Sequence, residues 1–322
     1  LRRYSPAHPR HLLFPLALFW LFAAGAHAEV VTIRHGTTAA ISTEKIILAL
    51  AKDAGILKRH ELAVEVVLIT SGGTLATQAL VGGSLDLLAT GATPFLHGYT
   101  EGADIKIVAG VNNRFPYTFM ARGDIATPAD LKGRTVGITR FGSIDELATR
   151  MVLSQFGLNP KTDVKIIQVG GSASRLAALQ SGSIDATALV SGYSNVGRKL
   201  GLKVLMDLAE KDIEYQMTAI VAREDYLKSR GEAVRRFLRA YLEGIRYYKT
   251  HRDEAVKKIM EALRTDDRPL AETDYATRSR ALPDDGKPTL KGLQLAIDEL
   301  AKENPKAKNI APRQLIDLNY LP

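Results

Sequence analysis

The chain writes one phrase twice. Gly83-Ser84-Leu85-Asp86 lies in LVGGSLDLLATGATP, and Gly182-Ser183-Ile184-Asp185 lies in LQSGSIDATALVSGY, 99 residues further on. The flanks repeat with it. EVVTIRHG and RTVGITR alternate and are rich in β-branched side chains, as strands are, and STEKIILALAKDAGIL and SIDELATRMVLSQFGL carry apolar residues at helical period, ending near Gly55 and Gly157. AVEVVLIT and DVKIIQVG follow as strands, then SGGTLATQALVGG and GGSASRLAALQSG as Gly/Ser turns that open short helices. Each unit closes on its Gly-Ser-Leu/Ile-Asp turn and an apolar strand, so the order strand, helix, strand, helix, strand is duplicated. Gly82 or Gly83, and Gly182, end a helix in the left-handed conformation without steric cost, and Asp86 and Asp185 are expected to hold backbone amides as each turn enters its strand. In a parallel sheet those turns lie at the N-terminal strand edge, whereas ligands collect at the opposite edge. The paired acids therefore read as structural rather than catalytic.

The ends of the chain bound the class. Residues 1–28 hold Arg2, Arg3 and Arg10, the run LLFPLALFWLFAAG and the small-residue pattern Ala26-His27-Ala28, which read as a signal peptide. The apolar run is shorter than the roughly 20 residues a membrane-spanning helix needs. Without this leader, which has no acidic residue, the formal charge falls from +8 to +5, a mild excess that suits an anionic partner. Cysteine is absent, which excludes disulfides, a thiolate nucleophile and a lipidated N-terminal cysteine. The expected location is thus free in the periplasm. The remaining length exceeds what one core usually supports, and two lobes are expected.

IKIVAGVNNRFPYTFMAR runs extended out of the first unit into the second, and EYQMTAIVAR reads as the strand that returns. The expected boundaries are residues 29–116 with 220–322 for the first lobe and 117–219 for the second. Beyond the return, Val234, Phe237, Leu238, Tyr241, Leu242 and Ile245 form one apolar helical stripe, and Val256, Ile259, Met260 and Leu263 form another. Thr250 with Asp253 resembles a capping box between them. Arg235, Arg236, Arg239 and Arg246 occupy the opposite face, but Glu232 and Glu243 interrupt them, so a solvated face is expected rather than a nucleic-acid surface.

TPADLKGRTVGITRFGSIDELATRMVLSQFGLNPKTDVKIIQV, with ALQSGSIDATAL and RAYLEGIRYYKTHRDEAVKKIM, resembles the substrate-binding proteins of ABC importers in the nitrate/sulfonate/taurine group, a superfamily that includes the SsuA/THI5-like and NMT1-like proteins. The likeness spans essentially the whole chain after the leader. It implies a type II periplasmic binding protein fold: two α/β lobes, two crossing segments, a ligand cleft, no cofactor, and an ABC permease as partner of a monomer. It leaves the solute open, because members of the group carry very different ones.

The residues suggest where that solute would sit. At the C-terminal edges of the strands, first-turn N–H groups lack partners and the helix dipole adds positive potential, so such ends are anion sites. The candidates in the first lobe are Thr37, Thr38, Ser71, Gly72, Gly73, Thr74, Thr90, Gly91 and Ala92. Those in the second are Phe141, Gly142, Ser143, Gly171, Ser172, Ser191 and Tyr193. Arg140 either pairs with an anionic head group or bridges to Asp145 or Glu146. His35 points either into the cleft or onto the sheet flank. Phe115, Tyr117, Phe141 and Tyr193 offer an aromatic wall. Asp145 and Glu146 fit a first helical turn by the dipole alone, and the ligand-side loops otherwise lack acids, which counts against a cation as the main recognised group.

Other classes fit less well. His35, His60, His97 and His251 match no metal spacing, no Gly-x-Ser-x-Gly nucleophile signature is present, and no phosphate-binding loop for ATP occurs. By the resemblance, pyrimidine-synthesising relatives use a Cys-rich segment that this chain lacks. A LysR-type regulator would carry a helix-turn-helix where this chain carries a leader. The expectation is a non-enzymatic periplasmic solute-binding protein for a small anionic organic solute such as a sulfonate or taurine. The alternatives are a pyrimidine or thiamine precursor, an aromatic carboxylate, or an exported sensor that partners a membrane receptor.

Overall fold

The computed structural model describes Leu1 and residues 30–322 apart from 209 and 212. The leader reading lies outside the described residues. The first unit runs β1 (Val31–Thr37), α1 (Thr43–Asp53), the short α2 (Ile56–Arg59), β2 (Leu62–Leu68), α3 (Gly73–Val81) and β3 (Leu87–Thr90), followed by α4 (Ala92–Thr100) and β4 (Ile105–Arg114). The second runs β5 (Tyr117–Ala121), β6 (Thr135–Ile138), α5 (Ile144–Gln155), β7 (Lys165–Gln168), α6 (Ser172–Gln180) and β8 (Ala186–Val190), followed by α7 (Ser191–Lys199) and β9 (Lys203–Asp207). The chain returns through β10 (Glu214–Arg223) and ends in α8 (Glu224–Thr250), α9 (Arg252–Leu263), α10 (Arg268–Ala281) and α11 (Leu290–Ala301).

The two sheets have the same plan. Their orders are β2-β1-β3-β10-β4 and β7-β6-β8-β5-β9. In each, the repeat supplies three parallel strands, and the fourth strand is an antiparallel one that touches a crossing segment. β10 pairs with β4 from Glu214 onward, so the return to the first sheet precedes residue 220, where the sequence reading had placed it. The reason is burial at the start of the strand: Tyr215 stacks on Phe115 at 4.1 Å, and Gln216 is wholly buried.

The duplicated turn does the same work twice. Asp86 accepts from the Arg34 amide at 2.8 Å, and Asp185 accepts from the Thr135 amide at 2.9 Å. Each Asp amide donates back to the carbonyl of that same residue, at 2.9 and 2.8 Å. A strand entry is thereby clamped to its neighbour at the sheet edge remote from the helix starts. Burial would raise the Asp86 carboxyl, but the Arg34 guanidinium and amide leave it below the ordinary range. Gly83 and Gly182 take φ of 78° and 75°, which only glycine adopts cheaply, while Gly82 stays right-handed.

Helices cover both faces of the first sheet. The stripe Val234, Phe237, Leu238, Tyr241, Leu242 and Ile245 is buried against α1 and the sheet, together with Val256 and Ile259. The capping box expected at Thr250 and Asp253 does not form. His251 stands at the N-cap of α9, and the Thr250 hydroxyl instead donates to the Arg246 carbonyl of the preceding helix at 2.8 Å. A single apolar core runs from Phe95 and Ile107 of the first lobe into Phe119, Ile144 and Val152 of the second. Among the described residues, no helix is long and apolar enough to cross a membrane.

His35 lies inside this framework. It is 0 % exposed, stacks on Phe237 at 5.3 Å, and neither ring nitrogen has a hydrogen-bond partner. Burial lowers its pKa from 6.5 to about 4. Between those values the unfolded chain binds a proton that the folded chain refuses, so stability falls as pH drops from 6.5 to 4. Compared with His35→Leu, the protein is expected to lose about 3 kcal/mol over that window, at ~1.4 kcal/mol per pH unit, measured by urea unfolding at each pH. Parallel curves for the two proteins would contradict this burial argument.

Candidate functional site

A cavity of about 470 Å³ lies between the C-terminal strand edges of the two sheets. Six helices begin on it. Ser42, Gly72, Gly91, Ser143, Gly171 and Val190, the N-caps of α1, α3, α4, α5, α6 and α7, all line it, and at none of the six does the cap side chain hold the first-turn amides. By contrast α10 and α11 are capped by the side chains of Asp267 and Thr289. Where glycine is the cap, a ligand atom can approach the backbone closely. Gly91 shows how little room is spared between the lobes: a Cβ there would fall 1.7 Å from the Ile144 Cδ1 atom.

Of the residues singled out from sequence, Thr37, Thr38, Gly72, Gly73, Thr90, Gly91, Tyr117, Ser143, Gly171, Ser172 and Tyr193 line this cavity. Ser191 opens α7 between the lining residues Val190 and Tyr193. The remaining candidates fall elsewhere. His35 shares a face with Thr37 but lies two residues deeper in β1, where Phe237 of α8 covers its ring, and only Thr37 at the strand end reaches the cavity. Ser71 is exposed, with Thr70 in the wall instead, and Thr74 sits within the first turn of α3 outside the lining. Ala92 is buried in the core under α4.

Phe141 and Gly142 form a turn that bends away from the space, while the Arg140 side chain stays at its rim, its Nε 3.9 Å from where a Cβ on the lining residue Gly72 would sit. Phe141 is half exposed, its amide donates to Gln168, and Gly142 has a φ of 78° and lies against the His97 ring. Of the two alternatives for Arg140, the bridge to Asp145 or Glu146 does not form among the described residues. Asp145 pairs with Arg175, and Glu146 with Arg150. The aromatic wall reduces to Tyr117 and Tyr193, since Phe115 is spent on the Tyr215 stack.

The cavity also holds charges that the sequence reading passed over. Arg175 is buried beneath the second-lobe wall, its side chain 1 % exposed. It donates to Thr187 and Ser172 hydroxyls at 3.0 and 3.3 Å, to the Gly170 and Ala188 carbonyls at 2.7 and 3.0 Å, and to the Thr139 hydroxyl. Its counter-ion Asp145 lies 3.4 Å away and accepts from the Thr139 amide. The five bonds thus run to strand β8 and to the segments that follow β6 and β7, and the guanidinium works as the tie that sets their positions.

Two further groups enter from the first lobe. Arg278 of α10 bridges to Asp274 at 2.6 Å and donates to Thr43 at 3.1 Å. Glu44, 2 % exposed, accepts from Ser42 at 2.8 Å and from Thr37. Burial raises the Glu44 carboxyl, against the pull of those hydroxyls and of Arg278. The expected shortage of acids at the ligand side, apart from Asp145 and Glu146, does not hold, since Glu44 also lines the space. One signal for Arg278 was present in the sequence, the acid four residues earlier at Asp274. Arg175 and Glu44 had none, because their positions in short helices look solvent-facing.

The family model described as NMT1/THI5-like matches residues 42–255, and the chain belongs to that family. It is similar to the binding protein YtlA of Bacillus subtilis, 23 % identical over 77 % of this chain and 75 % of that one. It is also similar to an Escherichia coli protein named for binding aliphatic sulfonates, 26 % identical over 75 % of each. The crystal structure of the periplasmic aliphatic sulphonate binding protein SsuA from Escherichia coli superposes with a TM-score of 0.69 at 25 % identity, covering 90 % of this chain and 98 % of that one. The fold is therefore that of the periplasmic binding proteins, and these relatives are binding proteins rather than enzymes.

Removing the Arg175 guanidinium strands Asp145 in a buried site. Arg175→Met is expected to destabilise the protein by about 3–5 kcal/mol, read from urea unfolding, with ligand binding lost as the second-lobe loops relax. A change below 1 kcal/mol would remove Arg175 from this organising role.

Proposed function

We propose that the protein is the periplasmic solute-binding component of an ABC importer and holds a small organic anion between two lobes. The first lobe comprises residues 30–116 and 214–322, and the second comprises 117–213. The observation that carries this reading is the convergence of six uncapped helix starts, drawn from both sheets, on one cavity. Their amides and partial positive charge suit an oxyanion head group without placing a free counter-cation beside it. Of the charges present, Arg175 pairs with Asp145 and Arg278 with Asp274, and Glu44 is held by the Thr37 and Ser42 hydroxyls. A volume of about 470 Å³ suits an organic molecule better than nitrate or bicarbonate, and Ile41, Val111, Pro94 and Met217 give it an apolar lining.

Binding would act by population shift. A solute that touches both lobes gains its full set of contacts only when they meet, so its differential affinity favours the closed form. That form would dock on the permease through exposed lobe surfaces. The same cleft would serve a membrane receptor in place of a transporter, and the partner decides between the two uses.

A thermal-shift panel tests the chemistry. Alkanesulfonates, taurine and aromatic carboxylates are compared with nitrate, bicarbonate, thiamine precursors and neutral or cationic compounds. An organic anion at a hundred times its Kd is expected to add about 2.7 kcal/mol of stability, and stabilisation by neutral or cationic compounds alone would sink the proposal. Thr90 gives a sharper check. Its hydroxyl is buried, unpartnered, and at the cavity wall, 3.0 Å from where a Cβ on Gly73 would sit. Thr90→Val should weaken binding of the anion by tenfold or more while leaving the unliganded protein as stable as before, or up to about 1 kcal/mol more so.

A further inference from the structure

The hydroxyls on the two sides of the cavity have had their roles assigned by buried charges, and assigned oppositely. In the second lobe, Thr139 and Ser172 accept from the Arg175 guanidinium, and neither donates to any described residue. Their O–H protons remain for a ligand, beside the N-terminal amides of α5 and α6. In the first lobe the situation is reversed. Thr37 and Ser42 both donate to the same oxygen of Glu44, Oε1. Their protons are consumed, and what they offer the cavity is lone pairs. Glu44 Oε2 receives no side-chain donor, so the carboxylate adds a further acceptor to the same wall.

This matters because a hydroxyl is ordinarily ambivalent, rotating to suit whatever it meets. Here a guanidinium, which can only donate, and a carboxylate, which accepts, fix the sense of hydrogen bonding on each side. A buried acceptor wall left facing an alkyl chain carries the cost of unmet polar groups. A solute with acceptor atoms alone would satisfy one wall and leave the other unpaired.

We infer that the solute has two unlike ends, an oxyanion seated against Thr139 and Ser172 and an N–H or O–H donor, such as an ammonium or hydroxyl group, seated against Thr37, Ser42 and Glu44. This rests on the anion reading above and refines it by assigning the other end of the molecule. Glu44 is then the residue that selects donor-tipped solutes over plain alkyl anions of equal length.

The test uses matched propane-chain sulfonates and carboxylates, each with a terminal amino, hydroxyl or methyl group, titrated calorimetrically into the protein and into Glu44→Gln. The donor-tipped members are expected to bind at least tenfold more tightly than the methyl-tipped ones. Glu44→Gln should remove most of that preference for the amino members and change affinity for methyl-tipped members less than threefold. Ser42→Ala, which frees one lone pair of Glu44 without altering its charge, serves as a second variant, and melting curves of both confirm that they fold. Equal affinity for donor- and methyl-tipped anions, or equal losses for both in Glu44→Gln, overturns the inference while the anion reading stands. If no anion in the series binds, both fall together.

Discussion

A helix that follows a parallel strand must begin with amide protons that have no partner inside the helix. Most proteins cover them with a side chain or leave them to water. Here six such starts are turned toward one another across a gap between two sheets, and each cap is a small or hydroxyl-bearing residue or Val190, none of which holds the first-turn amides itself. The rest of the molecule serves that arrangement. The clamped turns at Asp86 and Asp185 fix the far edge of each sheet, so that the near edges present their helix starts in register. The C-terminal helices then bury the outer face of the first sheet, and α10 reaches across to α7.

Charge is handled by enclosure. Arg175, Asp145, Arg278, Asp274 and Glu44 would each be costly to bury alone. Paired and hydrogen-bonded, Arg175 and Arg278 each stand against an acid, and the buried charges decide which way the surrounding hydroxyls point. Affinity for an anion would then come mainly from fixed dipoles, and selectivity from the directions that the buried charges impose.

Much of this was legible before any coordinates. The duplicated βαβαβ order, the structural duty of Asp86 and Asp185, the crossing at residues 105–121 and the apolar stripe of α8 all follow from periodicity and turn chemistry, which are local. The errors share a different origin. His35 and Thr37 share one face of a strand, and the alternation that pairs them does not say how far along it the helix α8 covers that face and where the cleft begins. Phe141 was drawn into an aromatic wall although Gly142, in its left-handed conformation, swings the turn outward. The Thr250 hydroxyl had two helices to choose from and took the earlier one.

By itself the sequence determined the architecture: two copies of one module, their strand and helix order, and the set of small, hydroxyl-bearing segments that end the strands. Those features depend on contacts between near neighbours and on repetition, so they can be read along the line. Only the tertiary structure decided which of those segments meet, and that Arg175, Arg278 and Glu44 lie beneath the meeting place. Burial of an ion and the partner that makes it tolerable come from segments far apart in the chain, Thr43 with Arg278 being separated by more than two hundred residues. No local pattern encodes such a pairing, and the polarity of the cavity depends on it.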